Sequence, residues 1–341
     1  MAVKINNISY SGFFYDGEAL TAMYLNGNKV YGGGEHAYDP LIDSKYFVVK
    51  ANSATTLSVL YQGSPTITIH YKKNGEDNWT TITGNTNVIL QTGDYLEMKG
   101  DVDNTGSGYV HFGTNSSGNI DVGGCLMALI FGGEISSAIY NQFVNTHTFY
   151  RLFDGCTGLV SAEHLTMASN TTQGCYQLMF NGCTSLVTAP SLPATTLTSY
   201  CYRQMFQNCT NLVNPPSLPA TTLASYCYRE MFAGCTSLTN VPDLPCTNPP
   251  ANAYYALFKG CTVLVNGPEI MSTSTVSSQF PQMFSGCTSL TNVTVHLANG
   301  SKVQSNWLAG VNTTGTLYCP STATGTFSIP STWTLSKTLS S

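Results

Sequence analysis

The sequence predicts a mixed, β-rich chain in which an amino-terminal β-hairpin and a β-sandwich precede a solenoid of short repeats. Three observations carry this expectation. Six cysteines, Cys156, Cys183, Cys209, Cys235, Cys261 and Cys287, recur at intervals of 27 residues and then four times 26. Short apolar-alternating runs separated by Gly, Asn and Asp fill residues 44–115. The chain also draws its bulk from 20 Tyr and 15 Phe and is punctuated by 31 Gly and 15 Pro, a composition of strands and turns. Its 341 residues exceed one ordinary core and set a prior of two or three domains.

Residues 1–43 come first. Asn26-Gly27 joins the extended runs 20–25 and 28–31, and Gly32 to Gly34 form a flexible joint. A lone hairpin is not stable in water, so this segment is expected to attach to a partner or to the neighbouring sheet. Residues 44–115 (KYFVVKA, TTLSVLY, PTITIHYKK, WTTITG, NVILQT, YLEMKG, YVHFG) read as the sandwich, with Asn74-Gly75 as a type I′ hairpin turn. Residues 116–144 are assigned as connector and amino-terminal cap, 145–296 as six repeat copies, and 297–341 as a carboxy-terminal cap in which Trp307 and Trp333 cover the last copy.

The copies align as LFDGCTGL, MFNGCTSL, MFQNCTNL, MFAGCTSL, LFKGCTVL and MFSGCTSL, led by Phe153, Phe180, Phe206, Phe232, Phe258 and Phe284. A period of about 20 to 29 residues on a fixed Leu framework is the sign of a leucine-rich-repeat solenoid, whose units bury their apolar faces only against each other. Tyr202, Met205, Phe206 and Cys209 fall at i, i+3, i+4 and i+7, which predicts a short helix in each copy. The bracket from Leu212 to Leu218, interrupted by Pro215 and Pro216, predicts a short extended segment opposite it.

The repeat, written LPATTLxSYCYxxMFxxCTxL, closely resembles the BspA-like leucine-rich-repeat family over residues 145–335 or so. The resemblance implies the fold and says little about function. The tail WLAGVNTTGTLYCPSTATGTFSIPSTWT looks like the usual ending of such proteins, which implies that the chain ends there. YKKNGEDNWTTI and LQTGDYLEMKG resemble the small sandwich that precedes such repeats in gut-bacterial and phage proteins. The opening residues look like those of phage virion proteins, crAss-like phages of gut Bacteroidales among them, in which a leading segment attaches the protein to the particle.

Charge narrows the function classes. Only 9% of residues are charged; residues 1–150 hold 7 basic and 13 acidic groups and the remainder 6 and 5, so no basic face offers itself to nucleic acid. The longest apolar run, 125–131, is far short of the roughly 20 residues of a spanning helix, which predicts no membrane insertion. The amino terminus lacks an apolar h-region, which points to folding in a reducing cytosol. The 12 cysteines then read as buried free thiols, with Cys175, Cys201 and Cys227 as a second row, because no CxxC suggests zinc. Asp101, Asp103, Thr105, Gly106 and Ser107 imitate half of a calcium loop, but Phe112 stands where its glutamate belongs, so the expectation is a polar turn. The histidines, His36, His70, His111, His147, His164 and His296, have no motif partners, and no nucleophile elbow, phosphate loop or HExxH occurs. The expectation is a non-enzymatic protein without cofactor.

What remains is a surface. Eight residues beyond each repeat Phe stand Ser161, Thr188, Asn214, Asn240, Asn266 and Asn292, and three further on His164, Ser191, Ser217, Asp243 and Glu269. Such rows are suited to hydrogen-bonding a host-surface glycan or protein, or to solvating the strand face. Together these readings predict a virion structural protein, a head or tail fibre component made in the host cytoplasm. It would contact other virion proteins through its first segment and act as a homo-oligomer. The alternatives are a bacterial BspA-like surface adhesin and, third, a glycan-active enzyme on a repeat scaffold.

Overall fold

The computed structural model describes residues 39–62, 68–82, 84–101, 109–114, 118–131, 146–274 and 280–339, together with four amino-terminal strands. Among the described residues the chain is β-rich, 31% strand against 4% helix, with several sheets. It divides into Met1–Asp39 and Pro40–Ser341. In the first unit β1 (Ala2–Ile5) pairs antiparallel with β2 (Ile8–Ser11), and β3 (Ala22–Leu25) with β4 (Asn28–Gly32). Leu25 faces Asn28, as the Asn26-Gly27 signal requires. That turn itself, and the joint at 33–34, lie outside the described residues. The expected boundary at residue 43 moves back: helix α1 (Pro40–Asp43) belongs to the second unit, where Leu41 is buried and its backbone lies against Gly123. A Cβ on Gly123 would come within 2.5 Å of the Leu41 carbonyl oxygen.

Eight strands follow: β5 (Phe47–Ala51), β6 (Thr55–Gln62), β7 (Thr68–Lys73), β8 (Thr80–Ile82), β9 (Thr86–Leu90), β10 (Tyr95–Asp101), β11 (Tyr109–Thr114) and β12 (Ile120–Cys125). They make two sheets, one ordered β12-β5-β10-β7-β8 and one β11-β6-β9. Alternation puts Leu57 and Val59 of β6, Val110 and Phe112 of β11, and Leu96 and Met98 of β10 into one core. Asn74 and Gly75 adopt the positive φ of a type I′ turn (+51° and +75°), closed by Glu76 N–H donating to the Lys73 carbonyl at 2.9 Å. The turn is nevertheless not a tight link between paired strands, because β7 and β8 pair only from Tyr71 opposite Thr80. Asn74 instead holds the start of β10, its Oδ1 accepting from Tyr95 N–H at 2.9 Å and its Nδ2 donating to Asp94 at 2.8 Å. Of the calcium-like row, Asp101 ends β10 and the other four residues lie outside the described ones.

The assignment of 116–144 as connector needs correction, because β12 is an internal strand. It pairs antiparallel with β5 and in parallel with β13 (Leu159–Thr166), the first strand of the repeat block. One sheet therefore spans the sandwich and the first copy. Their cores also merge: Phe153 lies 5.7 Å from Phe112 and 6.0 Å from Phe47 between ring centroids.

The repeat copies are not helical. Where a helix is expected, each copy runs as a chain of linked turns in which alternate N–H groups point in different directions. Arg203, Met205, Gln207 and Cys209 donate to the carbonyls of Tyr200, Tyr202, Gln204 and Phe206, three residues back, at 3.1–3.3 Å. Tyr202, Gln204, Phe206 and Asn208 donate to Cys227, Arg229, Met231 and Ala233 of the next copy at 2.8–3.0 Å. Every fourth residue takes positive φ: Tyr200, Gln204 and Asn208 here, Tyr226, Glu230 and Gly234 in the next copy. This backbone repeats every four residues and an α-helix every 3.6, so over two turns both bury the same i, i+3, i+4, i+7 set. Tyr202, Met205, Phe206 and Cys209 are accordingly all buried, on a backbone that is not a helix.

Identical positions stack on one another. The rings of Phe153, Phe180, Phe206, Phe232, Phe258 and Phe284 follow at 5.4–5.8 Å with planes within 13°. Tyr176, Tyr202, Tyr228 and Tyr254 form a second column at 5.7–6.0 Å. On the opposite side, strand is continuous only late, as the parallel ladder β14 (Asn266–Ile270), β15 (Asn292–Val295), β16 (Thr316–Pro320) and β17 (Thr334–Leu339). The extended segment expected in every copy shrinks in between to isolated bridges at Ser161, Thr188 and Asn214, where Pro190, Pro215 and Pro216 have no N–H to extend a ladder.

The expected cap at 297–341 opens with a further turn chain. Phe284 and Gly286 donate to the carbonyls of Trp307 and Ala309 at 2.8 and 2.7 Å, so Trp307 occupies the Met position and Leu308 the Phe position of a seventh copy. Both cap tryptophans are buried, and their Nε1–H groups donate to the carbonyls of Ser328 (2.6 Å) and Asn312 (2.9 Å).

The third positive-φ column reads Gly155, Gly182, Asn208, Gly234, Gly260, Gly286, Gly310. At Gly260 (φ +76°) a Cβ would meet nothing closer than 3.8 Å, so a side chain there is opposed by backbone conformation and not by crowding. Gly260→Ala should destabilise by about 1–2 kcal/mol, whereas Asn208→Gly should cost nothing measurable. Urea melts check this, and equal midpoints for Gly260→Ala and the parent would overturn the assignment of left-handed backbone.

Candidate binding surface

The periodic cysteines are structural. Cys183, Cys209, Cys235, Cys261 and Cys287 are buried, and each Sγ–H donates to the carbonyl of the Phe one copy back (Phe153, Phe180, Phe206, Phe232, Phe258) at 3.0–3.2 Å. A small apolar side chain with one weak donor fits this position, which explains why the residue recurs with the period. Cys156 opens the same column, and Cys175, Cys201 and Cys227 form the second buried row. All twelve thiols are free, and only Cys125 is not fully buried. Among the described residues no three His, Cys, Asp or Glu side chains are grouped to hold a metal ion. Nor is any described helix long and apolar enough to cross a membrane.

The two predicted surface rows are brought onto one side of the repeat block by the strand segments. Within the first row the side chains bond to one another in pairs. Thr188 Oγ1–H donates to Ser161 Oγ at 2.6 Å, Asn240 Nδ2 to Asn214 Oδ1 at 3.3 Å, and Asn292 Nδ2 to Asn266 Oδ1 at 2.8 Å. The second hydrogens of the Asn240 and Asn292 amides go to the neighbouring Thr239 and Thr291 hydroxyls. Each Asn pair thus leaves one amide nitrogen (Asn214, Asn266) and one carbonyl oxygen (Asn240, Asn292) without a side-chain partner among the described residues, a donor and an acceptor per pair. Val187, Val213 and Val265, one residue earlier in three copies, are 42%, 36% and 46% exposed, so apolar steps flank the amides.

The second row is less uniform. His164, Ser191 and Ser217 are exposed. Asp243 Oδ1 accepts from Glu269 N–H at 3.2 Å, and Glu269 Oε1 lies 2.7 Å from His296 Nε2, which ties that end of the row to the next copy. The arrangement suits hydrogen bonding to a polyhydroxylated or peptide surface. It places no nucleophile beside a base.

A second patterned face lies on the outer side of the turn chains, where sequence reasoning had assigned nothing. SYCYR occurs twice, at 199–203 and 225–229. It buries Cys and the second Tyr and turns the first Tyr and the Arg outward. Tyr200 and Tyr226 stack at 5.2 Å with planes 7° apart. Arg203 sits over Tyr200 (5.8 Å), and Arg229 over Tyr226 (5.7 Å) and Tyr255 (4.6 Å). The repeated motif was the available signal.

No protein-family model, curated protein or solved structure matches this chain.

Burial holds the thiols protonated. Cys175, Cys183, Cys209, Cys227 and Cys261 stand well above the ordinary 9.0, and Cys201, Cys235 and Cys287 are pushed up to about 12. A raised folded-state value means stability is complete below the unfolded-state value and is lost as pH climbs past it. Each such thiol should therefore cost the fold about 1.4 kcal/mol per pH unit above about 9. Urea midpoints should hold level up to that pH and then fall steeply, and alkylation of the native protein at about pH 8 should reach Cys125 at most. A midpoint unchanged to about pH 10.5, or thiols that stay blocked after denaturation without reductant, would contradict this.

Proposed function

We propose that this chain is a non-enzymatic structural protein of a phage particle, a head or tail fibre component. In this reading the repeat block is a leucine-rich-repeat solenoid of BspA-like type, displayed for contact with a host-surface glycan or protein. The amino-terminal unit joins it to other virion proteins. The observation that carries the reading is the paired Asn row, which offers a donor and an acceptor per pair with exposed apolar steps beside it. Support for the particle comes from the likeness of the opening residues to virion proteins. Single contacts of this kind are weak, so several copies per particle would supply avidity.

The protein should be present in purified particles, and removing residues 1–39 should leave a folded remainder that no longer joins them. Replacing Asn214, Asn240 and Asn266 together by Ala should reduce adsorption to host cells several-fold with little change in Tm, because the amides bond to each other at the surface and not to buried backbone. Mass spectrometry of particles and adsorption assays test both points. Absence from particles combined with presence on a bacterial envelope would favour the adhesin reading, and unchanged adsorption would remove the strand face from host contact.

A further inference from the structure

We infer that the outer face of the turn chains carries a separate site, centred on Arg203, for a carboxylated sugar. The argument begins with charge. Gln204 N–H donates to the Arg229 carbonyl at 2.9 Å, which places Arg203 and Arg229 at equivalent positions of adjacent copies. Like charges opposite one another across a ladder are unfavourable unless each has a counter-charge. Arg229 has one in Glu230, at 3.3 Å, and in the first copy Arg151 has Asp154, at 2.8 Å, and the Tyr150 hydroxyl, at 2.9 Å. The Arg203 guanidinium has neither an ion pair nor a hydrogen bond among the described residues, and its Nε is buried without a partner. In a chain with 9% charged residues, a half-buried guanidinium kept beside a second one without an acid is a position prepared for an anion.

The surroundings select the kind of anion. A guanidinium fork matches a carboxylate through two parallel N–H donors. Beside it the half-buried rings of Tyr200 and Tyr226 stack on each other, which takes one face of each and leaves at most the other, with its hydroxyl rim, to a ligand, and Asn252 Nδ2 reaches the Tyr226 hydroxyl at 3.5 Å. A pyranose ring is apolar on its C–H face and polar at its edge, so a uronic acid can lay that face on tyrosine while its carboxylate meets Arg203. A nucleic-acid strand fits less well: two arginines do not make a basic track, and the chain carries a net charge of −5. The site shares no residue with the Asn row and does not depend on it.

The test is titration of the full chain with a trigalacturonate at low salt, followed by calorimetry or NMR. Saturable binding with a dissociation constant below about 1 mM is expected. It should weaken at least tenfold in Arg203→Gln and in Tyr200→Ala, and partially in Arg203→Lys, which keeps charge but loses the fork. Arg151→Gln and the triple Asn variant should bind as the parent does, which separates failure of this site from failure of the strand face. Circular dichroism of each variant verifies folding. The fully methyl-esterified trimer should not bind. The inference is overturned if the folded parent does not bind the trimer, if folded Arg203→Gln binds it equally, or if inorganic sulfate or an oligothymidylate binds as tightly as the trimer.

Discussion

The rest of the repeat block depends on a division of labour among backbone N–H groups: every second one closes a turn within its own copy and the others reach the next copy. A helix would satisfy all of them internally and leave nothing to join neighbours, and a strand would send donors to both sides. The turn chain does half of each, and it does so by placing every fourth residue in left-handed conformation. For ordinary residues that conformation is costly. It persists at Gln204 and Glu230 because both flanking donors are satisfied in it, and the third column removes much of the cost with glycine.

Once copies are locked in register at this spacing, each side chain lies against its own equivalent, and the choice of residue follows. Flat rings stack in parallel with centroids 5.4–6.0 Å apart, so Phe and Tyr columns run through the interior. A cysteine is small enough to sit under the next turn and still offers its S–H to a Phe carbonyl. The same rule works at the surface, where Asn stacked on Asn bonds to Asn, and it creates the opposite problem for Arg203 on Arg229, where like meets like without an acid. One geometric constraint thus produces the core, the polar face and the unpaired cation.

That rule also explains what could be read from the sequence. The Phe and Cys columns were legible because stacking like on like forces identity at a fixed period. The backbone carrying them was not, since a four-residue turn repeat and an α-helix bury the same positions over two turns. β12 was missed because Gly123 and Gly124 interrupt its apolar alternation. They are glycines because Leu41 and Tyr46 main-chain oxygens press against them, a contact set by distant residues. The seventh copy escaped notice because Trp307 and Leu308 replace the Met-Phe pair and Val311 stands where the cysteine of the other copies falls. The polar rows were visible as rows, but which amide bonds to which, and which arginine lacks an acid, are facts of the folded arrangement alone.

The parallel pairing of β12 with β13 also bears on how the chain comes to be folded. Contacts within the repeat block join residues about one copy apart, so its topology is local and favours rapid ordering. An isolated copy has no surface to order against, and a first copy must be templated. The sheet edge presented by β12 supplies that template, and it lies on the amino-terminal side of every repeat. During synthesis the sandwich leaves the ribosome first. Each copy that follows then has the preceding one to dock on as it emerges, so the architecture permits assembly in the direction of translation.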